Sequence, residues 1–289
     1  MRIAHLLMAH KDAPQVERLI KALQHKGADF YLHVDKKSNQ DEFLYLNKIN
    51  NVIFTKTHNH IRWGGYSFTK TVIECTKEIV RSGKKYDFIN LISTQEYPIK
   101  PVETLIDFLA ENKGGCFLEY EDANSDWWKH AIHRINEYHL TDETFKGRYF
   151  IQKIINKILP KRKFPLPYNL YGGPRGTWWT ISMECAEYLV TFMDNNPDLQ
   201  HFSNYTWGSD EFLISTIIMN SPFKSQVINN NLRFIDWSLG GSNPKILTVE
   251  DIEALKKTDR FIARKFDIKK DTKILDLLDE WNGKATIDV

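Results

Sequence analysis

The sequence predicts an α/β fold with a mostly parallel central sheet flanked by helices. Short apolar runs alternate with segments whose apolar residues recur at helical spacing, the pattern of repeated strand–helix units. At 289 residues and 42% hydrophobic, the chain is long enough to bury a sizeable core. No internal repeat and no low-complexity linker interrupts it, so a single compact domain over 1–289 is expected.

The elements follow in order. Residues 3–9, IAHLLMA, read as a buried first strand. They begin like a leader peptide but have neither a proper basic region before them nor a small-residue cleavage site after. Pro14 then opens an amphipathic helix carrying Val16, Leu19, Ile20 and Leu23. A strand is expected at 30–34, ending at Asp35, then a weaker helix at 41–49 and a short strand at 52–54. Ser67 is placed to cap a helix bearing Val72, Ile73, Ile79 and Val80. A strand at 88–92 leads to Pro98, and Pro101 suits the first turn of the next helix.

Further on, strands are expected at 116–120, 177–182 and 227–234. Ser182 and Ser209 are placed to cap helices running to about 193 and 220. Two short helices are expected in the tail around 261–267.

Composition excludes several classes. Lys plus Arg total 39 and Asp plus Glu 37, a net charge of +2 and no footprint of a dedicated nucleic-acid binder. Three scattered cysteines with no C-x-x-C pair argue against a disulfide framework and favour a reducing compartment. No apolar run approaches the ~20 residues of a membrane span. Aromatics reach 13%, with 8 Trp and 12 Tyr, consistent with a large core or with flat surfaces for a planar or sugar-like ligand.

Several residues carry candidate chemistry. In open α/β sheets, ligands sit beyond the carboxyl ends of strands. Asp35, Trp63 and Glu96 all follow predicted strands, although a strand-end Asp is as often a turn residue. Glu211, in Ser209-Asp210-Glu211, is expected at a helix start, where the helix dipole would keep it ionised as a general base. The same position also suits an acid that merely stabilises the helix. Arg264 and Lys265 form an adjacent basic pair able to neutralise a diphosphate, or a solvated surface pair.

No D-x-D motif, Walker loop, G-x-S-x-G or Rossmann glycine pattern occurs. The pairs His58/His60 and His130/His133 lack further ligands at recognisable spacing, so no metal site is expected. The stretch 146–163 is basic and free of acids, with Phe150, Ile151, Ile154, Ile155, Ile158 and Leu159 at helical spacing. It fits either a peripheral helix drawn to anionic lipid or a helix packed on the core by its apolar residues.

Taken together, several segments are more specific than any one. Arg2-Ile3-Ala4, His33-Val34-Asp35-Lys36-Lys37-Ser38, Trp63-Gly64-Gly65-Tyr66-Ser67, Ile89-Asn90-Leu91-Ile92-Ser93 and Tyr97-Pro98-Ile99-Lys100 resemble the N-terminal half of the core-2/I-branching glycosyltransferases, family 14. Ser209-Asp210-Glu211, Asn229-Asn230-Asn231-Leu232-Arg233, Asp236-Trp237, Ser242-Asn243-Pro244 and Ala263-Arg264-Lys265-Phe266-Asp267 resemble the C-terminal half. The last three look especially like the peptide xylosyltransferase branch.

This resemblance implies a GT-A-like fold, with a nucleotide-binding half over about 1–120 and an acceptor and catalytic half over about 121–289. It implies an inverting, metal-independent transfer of N-acetylglucosamine or xylose from a UDP-sugar to a glycan or glycolipid hydroxyl, with no cofactor. By similarity Glu211 is the catalytic base, and Asp35, Trp63, Trp178, Arg264 and Lys265 bind the donor. Glu96 matches an acidic position in the family's strand-end loop. Glu119, Lys129, Arg134 and Trp237 are further acceptor-side candidates, from their loop or cleft positions. The xylosyltransferase branch carries an acid before the matched Trp, whereas this chain reads Gly176-Thr177-Trp178, which leaves both donors open.

A minimal, bacterial, cytosolic-side enzyme of surface polysaccharide or glycolipid synthesis is expected, and peripheral membrane contact through 146–163 is one of the two readings of that stretch. The alternative is a non-catalytic carbohydrate- or lipid-binding protein on a degenerate transferase scaffold.

Overall fold

The structure, a computed structural model, describes residues 1–283. The end of the expected single-domain span, 284–289, lies outside the described residues. The chain divides into two compact units of interleaved sequence. One comprises Met1–Thr55, Lys85–Gly115 and the segment from Leu232 onward; the other comprises Lys56–Lys84 and Cys116–Asn231.

In the first unit, strand Ile3–Ala9 pairs in parallel with Ala28–Val34 on one side and Phe88–Ser93 on the other. Val52–Phe54 extends the sheet beyond Ala28–Val34, again in parallel. Every residue of Ile3–Ala9, Ala28–Val34 and Phe88–Ser93 is buried. That is why these strands read as continuous apolar runs: both faces are covered. Helix Ala13–Ala22 makes the crossover between the first two strands and buries Val16, Leu19 and Ile20. Its Arg18 is buried and forms ion pairs with Asp276 and Asp279 on helix Lys273–Trp281. A second, smaller sheet sets Arg233–Ile235 parallel to Ile262–Arg264, which runs antiparallel to Glu96–Pro98.

In the second unit, helix Tyr66–Val80 packs on helix Met183–Asn195. Strand Cys116–Leu118 lies between Val227–Asn229, to which it is parallel, and Thr180–Ser182, to which it is antiparallel. Strands Glu121–Asp122 and Tyr171–Gly172 form a small antiparallel pair. The three cysteines are buried, and none forms a disulfide. The α/β class and the mostly parallel sheet are as the sequence indicates.

Several local expectations need correction. The segment 41–49 forms two 3₁₀ turns, Gln40–Glu42 and Leu44–Lys48, because the buried residues Phe43 and Leu46 stand three apart, the 3₁₀ repeat. The cap before Tyr66–Val80 is Gly65, not Ser67. The Ser67 hydroxyl instead accepts from the Arg62 backbone and donates to Asp142. The strand expected at 227–234 is two strands, interrupted by Leu232 in the left-handed region at φ 65°. Around 261–267 the core element is strand Ile262–Arg264, flanked by helices Ile252–Lys257 and Lys273–Trp281. Ser182 caps its helix as expected, accepting from the Cys185 backbone.

Candidate active site

Glu211 does not begin an α-helix. It closes a 3₁₀ turn, Ser209–Glu211, ahead of the buried helix Leu213–Met219. Gly208 precedes the turn at φ 63°, a conformation that favours glycine, and a Cβ there would stand 2.7 Å from Arg134 Nη1. Gly176 lies against the Glu211 carbonyl, which a Cβ would approach to 2.5 Å. The Glu211 carbonyl accepts from Gly173 N at 2.9 Å. Ser209 is tied to Thr69 by a 2.8 Å hydroxyl contact. The backbone under Glu211 is therefore held from several sides, which fixes where its carboxylate points.

That carboxylate accepts a hydrogen bond from Arg134 Nη1. The Arg134 guanidinium lies between two indoles, 4.9 Å from the Trp127 ring centre and 4.3 Å from that of Trp207. Trp207 meets Trp63 edge-on at 5.6 Å, and Trp63 is 67% exposed. The result is a half-open aromatic wall beside a carboxylate, a surface suited to the apolar faces of sugar rings.

The pKa of Glu211 is raised from 4.5 to about 7, first by desolvation and then by the Asp210 charge, with Arg134 opposing. The expected helix-dipole effect does not govern this group. Burial does, and it brings the carboxylate to the basicity that proton abstraction near neutral pH requires.

The first unit gathers cations. Arg264 ends strand Ile262–Arg264 in register with Glu96, and its Nε lies 4.0 Å from Glu96 Oε1. Glu96 is fully buried, accepts from Ser93 N at 3.3 Å and lies 3.8 Å from Arg233 Nε. Its pKa is raised by burial against the pull of Arg233 and Arg264. Arg233 donates to the Asn90 side chain and, at 2.8 Å, to Leu91 O, while Asn90 meets His5 at 3.0 Å. His5, pushed down to about 3 by burial and then by Arg233, is neutral at physiological pH. A buried polar chain thus runs His5–Asn90–Arg233–Glu96–Arg264 and fixes the Arg264 guanidinium from behind.

Lys265 has its pKa lowered by burial, then by Arg264 and Lys11, with Asp267 opposing. His10, just past the end of strand Ile3–Ala9, is lowered by desolvation and then by Lys11, Lys265 and Lys37. A cavity of about 350 Å³ opens at the carboxyl ends of Ile3–Ala9 and Ala28–Val34, lined in part by His10, Lys11, Ser38, Asn39 and Lys269. Asp12 and Glu42 line the same cavity, and Asp12 and Asp267 pair with Lys11 and Lys269, so the cavity mixes both signs of charge; among these groups only His10 and Lys265 have their basicity lowered by neighbouring cations.

The remaining candidates fall as follows. Asp35 is buried in a turn: its carboxylate accepts from Lys37 N at 3.1 Å and lies 3.3 Å from Lys37 Nζ. Trp178 is buried and meets Phe68 edge-on at 5.8 Å. Glu119 is half-buried and pairs with Arg175 at 3.1 Å. Lys129 is exposed and spends its charge on Asp126, 2.6 Å away one helical turn earlier. Trp237 is half-buried in the first unit, its Nε1 buried with no hydrogen-bond partner among the described residues. Glu96 does not face an open cleft, because no part of it is exposed; it stands as the counter-charge of two arginines.

His130 and His133 turn their rings onto backbone carbonyls of their own segment, at 2.8 Å each. Among the described residues no three His, Cys, Asp or Glu side chains gather as metal ligands.

The Core-2/I-Branching enzyme family model matches residues 3–258. The chain belongs to that family. Rat xylosyltransferase 2 is 28% identical over 306 residues, covering 96% of this chain and 33% of its own length. Mouse xylosyltransferase 1 is 27% identical over 305 residues, covering 97% of this chain and 30% of its own. This branching-enzyme chain therefore spans about a third of the curated relatives it matches. Among solved structures, apo mouse xyloside xylosyltransferase 1 aligns over 91% of this chain and 97% of its own, at 11% identity and a TM-score of 0.42. That overlap is too loose to build on.

Within the family frame, sequence reasoning missed Trp127 and Trp207 as members of the wall, and missed Arg233 and Asn90 behind Arg264. Trp207 had a signal, since Trp207-Gly208 directly precedes Ser209-Asp210-Glu211. Arg233 and Asn90 stand in segments that carry the resemblance, but their partnership had no signal, because 143 positions separate them and only the fold joins them.

Proposed function

We propose that this family member transfers a sugar from a UDP-sugar to a hydroxyl of a glycan or glycolipid, with inversion and without a metal ion. N-acetylglucosamine and xylose are the two donors the motifs allow, and the xylosyltransferase names of the relatives support the second. The acceptor oxygen attacks the anomeric carbon on the face opposite the leaving group. The bond from that carbon to the diphosphate oxygen breaks, and its electron pair leaves with UDP. Glu211 takes the proton of the acceptor hydroxyl as the new bond forms, a contribution of about 10²–10⁴-fold in such reactions.

Arg264 and Lys265 neutralise the charge that develops on the diphosphate, more strongly in the transition state than before it. Trp127 and Trp207 stack on the acceptor sugar and orient its hydroxyl, with Trp63, placed by the resemblance at the donor, next to Trp207. Arg134 aims the base, and Glu96 holds Arg264 in place.

One observation carries the reading: a largely buried carboxylate, its pKa raised to about 7 by burial, beside two half-buried indoles and the exposed Trp63. Saccharide acceptors incubated with UDP-N-acetylglucosamine or UDP-xylose test it by UDP release. Turnover that persists in EDTA is expected from one donor. Absence of UDP release from both, even by slow hydrolysis, would favour the non-catalytic binding alternative. Complete loss of turnover in EDTA, restored by a divalent ion, would remove metal independence.

A further inference from the structure

Helix Arg148–Ile158 is amphipathic, but it is mounted inside out. Its polar residues face the protein. Gln152 Oε1 accepts from Leu140 N at 2.9 Å, while Asn156 accepts from Tyr138 N at 2.7 Å and donates to Tyr138 O at 2.8 Å. No residue of the helix is buried. The row Phe150, Ile154 and Ile158, four apart and so on one face, points to solvent, with Phe150 68% and Ile158 73% exposed. Ile151 and Leu159 widen the patch. Lys153 and Lys157, also four apart, run beside it and are exposed. Lys146, Lys161 and Lys163 are exposed at its two ends, and no acid occurs from 146 to 163. Ile151, Ile154 and Ile158 thus do not pack on the core, and of the helix's isoleucines Ile155 is the half-buried one.

A contiguous exposed apolar strip of this kind marks a contact surface. We propose that helix Arg148–Ile158 docks flat on an anionic lipid bilayer, its apolar row in the headgroup boundary and its lysines on lipid phosphates. The flanking charge selects this occupant. Two copies of the chain meeting through the strip would bring like charges together with no acid between them. An anionic surface neutralises all of them at once. Three turns of helix bury too few apolar side chains for firm anchoring, so the contact is reversible and depends on charge. It rests on the geometry of this helix and not on the sugar-transfer reading.

Cosedimentation of the full chain with vesicles tests the proposal. Binding is expected to phosphatidylcholine vesicles containing a third phosphatidylglycerol, to be lost in 0.5 M salt, and to be weak on phosphatidylcholine alone. K153E/K157E should weaken binding roughly thirtyfold or more. F150S/I154S/I158S should abolish it with an unchanged melting temperature, since none of these side chains supports the core. No binding to the anionic vesicles would overturn the proposal. So would binding that F150S/I154S/I158S leaves intact, or a dimer of the wild-type chain that the same variant converts to monomer. None of these results would alter UDP release, so the transferase reading is tested separately.

Discussion

The surroundings of Glu211 and of Arg264 solve opposite problems. Glu211 is a lone carboxylate made more basic by withdrawing water from it, with Asp210 adding and a single arginine restraining. Arg264 is a cation among cations, kept in place because a fully buried carboxylate and a second arginine stand behind it. One site sets a pKa by desolvation; the other holds positive charge against a buried carboxylate. The comparison teaches that the base tolerates a neutral replacement structurally, whereas the cation site does not tolerate loss of its counter-charge.

The largest effect tests the first half of that contrast. Glu211→Gln keeps the shape and removes the basic electron pair, so kcat should fall by about 10²–10⁴ with UDP affinity retained, measured by UDP release and by calorimetry. Unchanged turnover would take the base role from Glu211. Next, Arg264→Met and Lys265→Met should each lower kcat by about 10²–10³, the usual cost of removing one preorganised charge-stabilising group. Unlike Glu211→Gln, both should weaken UDP binding, and that difference separates cation from base.

The second half of the contrast is sharpened by Glu96→Gln. It leaves Arg233 and Arg264 facing each other without their carboxylate, and breaking such a buried arrangement costs about 3 kcal/mol of stability. Denaturant melts check this, and a loss of UDP affinity should accompany it. Glu211→Gln should show no comparable destabilisation.

The smallest effect is the pH dependence. With a base titrating at about 7, turnover should fall about tenfold per pH unit below neutrality. Stability runs the other way. The folded pKa lies above the unfolded value near 4.5, so the folded state binds the proton more tightly. This contribution is complete below pH 4.5 and is lost as pH rises towards 7, by about 3 kcal/mol. The pH range of best activity is therefore one where Glu211 strains the fold. In Glu211→Gln that slope should disappear, as melting temperatures at pH 5 and 8 would show.

Much of this was legible in the sequence, and the rest was hidden for physical reasons. The strands Ile3–Ala9 and Phe88–Ser93 announce themselves because burial on both faces demands unbroken apolar runs. Strands Glu96–Pro98 and Ile262–Arg264 do not, since three residues carry no periodicity and exist through pairing with each other. Glu211 could be picked out by motif, but its environment could not. The Arg134–Trp127–Trp207 assembly joins residues up to 80 positions apart, and that assembly decides what the carboxylate can do. Helix Arg148–Ile158 is the sharpest case. Its spacing reveals two faces, yet the bonds from Gln152 and Asn156 to the backbone at 138 and 140 decide which face turns inward.

The interleaved course of the chain has a consequence for biosynthesis. A ribosome delivers Glu211 and its indole neighbours before Arg233 has emerged, and Arg264 and Lys265 later still. The first unit, begun at Met1, cannot complete its smaller sheet until those late strands arrive to pair with Glu96–Pro98. Until residues 232–265 have emerged, the polypeptide would hold Glu211 without Arg264 and Lys265, the cations proposed to act with it.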